Sequence, residues 1–121
     1  MAQARGDYDE AVRQYQRALD TKERLGDQAG MATTYSQLGI LEADRGGRAG
    51  QAISWPAQAL VIRLRLGVPQ AVIDLRRLAA YHDDLGPERF GGLLAQAAGD
   101  SLAETIMSLL GQLDPGDTSR G

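Results

Sequence analysis

From Tyr8 to Leu25 the apolar residues fall at Tyr8, Ala11, Val12, Tyr15, Ala18, Leu19 and Leu25. Gaps of three and four put them on one helical stripe. Gly26 then supplies a left-handed stop and Asp27 a cap for the next start. A second helix is predicted over Gln28–Arg45, with Met31, Tyr35, Leu38, Gly39 and Leu41 inward, ended by Gly46-Gly47. A third runs from about Arg48 to Leu66, with Ala49, Ala52, Ile53, Ala59, Leu60 and Leu64 or Leu66 inward, ended by Gly67. The fourth, Pro69–Leu85, carries Val72, Leu75, Leu78, Ala79 and Leu85, and proline is tolerated in its first turn. Gly86-Pro87 repeats the punctuation before a shorter helix, Glu88–Ala98, with Phe90, Leu93, Leu94 and Ala97. A last helix is predicted over Ser101–Leu113. Ser101 and Glu104 there have capping-box spacing, and Leu102, Ile106, Leu109, Leu110 and Leu113 form its apolar face. Residues 114–121 have nothing to bury and are expected to be disordered. No stretch alternates with period two, so the chain is predicted to be all-α with about six helices and no sheet.

The pattern repeats. Gly6-Asp7-Tyr8-Asp9-Glu10-Ala11 is echoed by Gly47-Arg48-Ala49-Gly50-Gln51-Ala52, Ala18-Leu19 by Ala59-Leu60, and Arg24-Leu25-Gly26 by Arg65-Leu66-Gly67, all at an offset of 41 residues. A fixed period of this length is the mark of stacked supersecondary units.

Tyr35-x-x-Leu38-Gly39 resembles the first-helix motif of the tetratricopeptide repeat family, an aromatic followed by Leu-Gly. Gly6-x-Tyr8-x-x-Ala11-x-x-x-Tyr15-x-x-Ala18-Leu19 resembles its second-helix motif, where small residues admit a close helix partner. The likeness is strong from Gly6 to Leu66, weaker to Leu85 and faint beyond. The period exceeds the family's ~34 residues, and the Leu25-Gly26-Asp27 join is similar to the longer repeats of kinesin light chains and many bacterial regulators. The resemblance implies a right-handed α-α superhelix of helix hairpins. Residues 1–113 would form the domain, beginning within a repeat and closed by a capping helix at about 101–113. It also implies the end of a longer solenoid. Pro56 stands where the repeat would place the counterpart of Tyr15. A bend is expected there, with Trp55 covering part of the lost aromatic volume.

Composition narrows the function. Aromatic residues are only 5%, so the core must be aliphatic and thin per helix, gaining stability from its neighbours. The net charge of −3 gives no general pull toward phosphate backbones or anionic lipid, so neither nucleic acid nor membrane is expected as a partner. Cysteine is absent, which excludes disulfides and thiolate metal sites. No apolar run approaches a membrane span and the amino end lacks a signal-peptide pattern, so a cytoplasmic location is expected.

Members of the family bind extended peptides or partner helices along the face lined by first helices. Carried over from Leu38-Gly39, the groove positions would be Thr33, Ser36, Gln37, Ile40 and Asp44. From Leu78-Ala79 they would be Ile73, Arg76, Arg77, Ala80, Asp83 and Asp84. Arg76 and Arg77 together could hold a carboxylate by bidentate bonds. The plainer reading of all these is an ordinary solvated face. The Lys and Asn set by which chaperone-binding members clamp a terminal carboxylate is absent. His82-Asp83-Asp84 invites a metal or acid–base reading, but consecutive helical positions diverge and no second histidine exists, so an acidic helix end is the simpler account. Arg45-Gly46-Gly47-Arg48 resembles an RNA-binding tract and reads more plainly as a helix stop. Arg63, Arg65, Arg76 and Arg77 are expected to pair with Glu42, Asp83 or Asp84. Walker and dinucleotide signatures are absent, and no catalytic residue, cofactor or metal is expected.

The apolar face of the first helix, through Tyr8, Val12, Tyr15 and Leu19, would be an exposed edge without a preceding partner helix. A neighbouring repeat, or a second copy in a symmetric homodimer through residues 8–25, would cover it; the plainer alternative is an edge that frays. The expected function is a non-enzymatic protein-interaction scaffold, acting through the groove or this edge. The alternative is a regulatory or sensor tail of a larger signalling ATPase or transcription regulator.

Overall fold

The five joints between helices are each made by a glycine with positive φ, at Gly26, Gly46, Gly67, Gly86 and Gly99. The computed structural model describes the backbone of residues 2–46 and 49–118, and the side chains of 6–46 and 49–112. Six helices follow: α1 (Ala2–Leu25), α2 (Gln28–Asp44), α3 (Ala49–Leu66), α4 (Ala71–Leu85), α5 (Pro87–Ala98) and α6 (Asp100–Thr118). No strand occurs among the described residues.

The joints show why the sequence breaks where it does. At the end of α1, Asp27 N–H donates to the Lys22 carbonyl at 2.8 Å and Gly26 N–H to that of Glu23 at 3.1 Å. At the end of α3, Val68 and Gly67 make the same two bonds to Arg63 and Leu64, each at 3.2 Å. Both are Schellman closures, which need a left-handed residue that only glycine adopts without strain. The echoed Arg-Leu-Gly is thus one joint used twice. Asp27 caps α2, its carboxylate accepting from Gly30 N–H at 2.9 Å.

Several boundaries differ from the sequence reading. The helical path of α1 begins at Ala2, ahead of Tyr8. Pro69 lies in the turn before α4, where Val72 and Ile73 N–H bond three residues back and tighten the entry. Ser101 sits inside the first turn of α6, whose entry is made by Gly99, so the expected capping box does not form. The path of α6 continues past Leu113 to Thr118, into the segment expected to be disordered; residues 119–121 lie outside the described residues.

Successive helices pack as antiparallel neighbours, with α2–α3 and α4–α5 as hairpins. Helix α3 is the hub, touching α2, α4 and α5. One face gives Ile53, Ala57 and Leu60 to a cluster with Leu78, Phe90, Leu94, Ile106 and Leu110. The other gives Ala59 and Ile62 to a smaller cluster with Ala32, beside Met31 and Tyr35. Helix α6 docks on α5 and α4 and closes the larger cluster. Helix α1 is pinned to α2 near both ends, by Lys22 Nζ on Thr34 Oγ1 at 3.0 Å and by the Tyr8 hydroxyl on Glu42.

Helix α3 runs as a single helix through Pro56, whose ring is fully buried. A Cβ on Gly39 would lie 3.2 Å from Pro56 Cδ and 3.4 Å from Trp55 Cβ, so α2 and α3 approach closely at this point. Trp55 stacks on Tyr35 across the hairpin, ring centroids 6.0 Å apart. Gly39→Val should therefore destabilise by about 1–3 kcal/mol through overpacking against a rigid ring. Urea unfolding checks this, and an unchanged midpoint would mean that the hairpin can open at no cost.

Candidate partner-binding surface

Two helices present the residues singled out for a groove. On α2, Thr33, Gln37, Ile40 and Asp44 are exposed at helical spacing and share one stripe. On α4, Ile73, Arg76, Ala80, Asp83 and Asp84 are exposed. Ile40 and Ile73 are 42% and 55% exposed, high for large aliphatic side chains. Arg76 lies in the first half of α4, while Asp44, Asp83 and Asp84 lie at the ends of their helices, so the exposed stripe of α4 runs from basic to acidic and that of α2 from neutral to acidic.

Ser36 and Arg77 do not belong to this exposed set. Ser36 is half-buried, and its hydroxyl donates to Asp74 Oδ1 at 2.8 Å while accepting from Arg63 Nη1 at 2.9 Å. The same Arg63 nitrogen donates to Asp74 Oδ2 at 2.9 Å. One residue from each of α2, α3 and α4 thus forms a closed polar triangle inside the fold. Asp74 is fully buried, and burial raises its carboxyl pKa above the ordinary 3.8 even though Ser36 and Arg63 pull it down. Arg77 is half-buried, and its Nε is sealed from solvent with no hydrogen-bond partner among the described residues. Adjacent positions on a helix diverge by about 100°, so Arg76 is exposed while Arg77 is half-buried and the two leave the helix in different directions.

The expected pairing of the basic residues is also corrected. Arg63 pairs with Asp74, not with Glu42, Asp83 or Asp84. Glu42 is itself buried and is held by the Tyr8 hydroxyl and by Arg45 Nη2 at 3.4 Å. The Arg45 guanidinium lies 4.2 Å from the centre of the Tyr8 ring. Burial, then the bond to Glu42, pushes the Tyr8 pKa up. Arg45 is the C-cap of α2, in keeping with a helix stop; Gly47 and Arg48 lie outside the described residues. His82 packs edge-on against Phe90 at 5.4 Å and touches Asp83 at 3.4 Å. No group of three metal-ligating side chains occurs among the described residues.

Tyr8, Val12, Tyr15 and Leu19 are each half-buried. Their helix lies along α2, which covers part of the stripe within a single chain. No helix among the described residues is long and apolar enough to cross a membrane.

The sequence reading missed Asp74 altogether, and missed that Glu42 is buried. Both carried a signal. Asp74 stands between Ala71 and Leu78 on the buried stripe of α4, and Glu42 stands one turn after Leu38 on that of α2. A charge in register with an apolar stripe predicts a buried partner of opposite sign.

Stacked antiparallel hairpins around a shared hub, with an exposed polar stripe on the first helix of each pair, define a helical-repeat protein. The tetratricopeptide repeat family model matches residues 1–65, more than half of the chain. The chain belongs to the tetratricopeptide repeat family. Neither the curated proteins nor the solved structures contain a match to it.

Proposed function

We propose that the chain is a protein-interaction module that receives a partner segment across the exposed face of α2 and α4. Tetratricopeptide repeats generally mediate protein–protein interaction. The observation that carries the reading is Ile40 and Ile73 standing exposed among Gln37, Arg76, Asp44 and Asp83 on helices pinned together beneath the surface. A face already ordered by the Ser36–Asp74 bond loses little entropy when a partner docks. Aliphatic patches flanked by charge suit a segment with apolar side chains at its centre and charges of opposite order at its ends. The offset of 41 residues and the Leu25-Gly26-Asp27 join support placing the chain with the long-period members of its family.

The test is selection of peptides from a random display library on the immobilised chain, followed by affinity measurement. Ile40→Glu with Ile73→Glu should weaken selected peptides by tenfold or more, about 1.4 kcal/mol. Both side chains are exposed, so the melting temperature should hold. Peptides that bind the double variant as tightly as the wild type would overturn the reading.

A further inference from the structure

A cleft of about 340 Å³ opens between α1 and α3. Its walls are Tyr8 and Val12 on one side and Trp55 on the other. Buried Glu42 from α2 and exposed Asp9 from α1 also line it. Arg13 also lines it, but that guanidinium is held by Glu10 on its own helix at 2.7 Å. The cleft thus joins aromatic and aliphatic walls to the amides of Gln16 and Gln51, one buried carboxylate and one exposed one. Such a slot suits a flat cation. Aromatic faces attract it, the carboxylate takes its N–H groups, and both act more strongly once water is displaced.

The molecule already shows the chemistry beside the cleft. Arg45 lies on the Tyr8 ring and pairs with Glu42, yet its side chain is 46% exposed and the bond is long, at 3.4 Å. It neutralises Glu42 loosely, from outside the slot. The Tyr8 hydroxyl holds Glu42 Oε1, so a second guanidinium entering the slot would compete with Arg45 for Oε2 and for the Tyr8 ring.

We propose that this cleft is a binding site for an arginine side chain projecting from a protein partner. The site is distinct from the α2–α4 face, and the proposal does not rest on that face being a groove. A side chain is favoured over free arginine because the α-ammonium and α-carboxylate of the free amino acid would both have to give up water beside the cleft, whereas a peptide backbone carries neither charge. Arginine is favoured over lysine because a planar fork can stack on Tyr8 and still donate to Glu42.

Trp55 is the only tryptophan of the chain and a wall of the cleft, so its fluorescence reports occupancy directly. The probe is acetyl-arginine-amide, which carries the guanidinium without terminal charges. A saturable change at Trp55 is expected in the wild type, and in Arg45→Ala at about tenfold lower probe concentration, as for a site whose internal competitor has been removed. Acetyl-citrulline-amide, which has nearly the same shape without the charge, should give no saturable change. Asp9→Asn, at an exposed position, should weaken the probe several-fold while leaving the helical circular dichroism unchanged. Should Arg45→Ala fail to fold, Arg45→Gln keeps the stem over Tyr8 and carries the same comparison. An equal response to the citrulline compound, or no saturable response in a folded Arg45 variant, would overturn the proposal. Free arginine binding as tightly as the capped amide would overturn its assignment to a protein side chain.

Discussion

Asp74→Ala is expected to lower the stability of the domain by about 3–5 kcal/mol, the usual result of removing one member of a buried ion pair. The loss comes mostly from what stays behind. Arg63 would remain with its side chain only 11% exposed and no counter-charge, and the Ser36 hydroxyl would lose its acceptor. Asp74→Asn should cost much less, because the amide oxygen still accepts from Arg63. The raised pKa of Asp74 says the same thing, since burial disfavours the ionised form more than Ser36 and Arg63 favour it. The sign of the pH dependence follows. A carboxyl whose folded pKa is raised binds its proton more tightly in the native state, so its contribution is fully present below the ordinary value of 3.8 and declines as pH rises through the folded value. The stability of the wild type minus that of Asp74→Asn should therefore fall between acid and neutral pH. Urea midpoints at matched pH measure this difference. A difference that grows with pH would mean that Arg63 holds the carboxyl down and the pair is net stabilising. Ser36→Ala with Arg63→Met and Asp74→Leu should recover most of what Asp74→Ala loses, because an apolar replacement leaves nothing buried and unpaired.

That triangle marks the limit of what the sequence made legible. The helices were readable because each joint carries a glycine that the backbone requires, and because apolar residues recur at helical spacing between them. The motif Leu38-Gly39 was readable because close approach demands a small residue, and the structure puts the Pro56 ring against it. The exposed positions of α2 and α4 followed from the same register. Ser36 and Arg77 were misjudged because register gives only the direction in which a side chain leaves its helix. Whether it reaches solvent depends on which long side chain of a neighbouring helix arrives beneath it. Arg63 comes from α3 and lies 27 residues from Ser36, a contact set by the packing of three helices and invisible to any periodicity within one.

Phe90→Ala should be comparably severe, about 3–5 kcal/mol, out of a total of about 5–15 kcal/mol for a domain. Phe90 is the only phenylalanine of the chain and is fully buried. It sits in the cluster where α3, α4, α5 and α6 meet, so its loss leaves a cavity that all four line. Helix α5 has little else to hold it. It is 12 residues long and carries Gly91 and Gly92 in its interior. Each glycine weakens a helix by about 1 kcal/mol relative to alanine, and a Cβ at either position would meet nothing within 4 Å. The helix is therefore held by the anchorage of Phe90 and Leu94 more than by its own propensity. In Phe90→Ala, α5 and α6 should open before the α2–α3 hairpin, since a repeat is stabilised chiefly by its neighbours. Far-UV circular dichroism, which sees every helix, should then begin to fall at lower urea than the fluorescence of Trp55, which sees α3. Coincident curves would mean that the opening of α5 and α6 carries the hairpin with it. Adding Gly91→Ala and Gly92→Ala to Phe90→Ala should restore about 1–2 kcal/mol and bring the two curves back together, because it repairs propensity without touching the cavity. If the two alanines change nothing, α5 is limited by packing alone and its glycines do not set its stability.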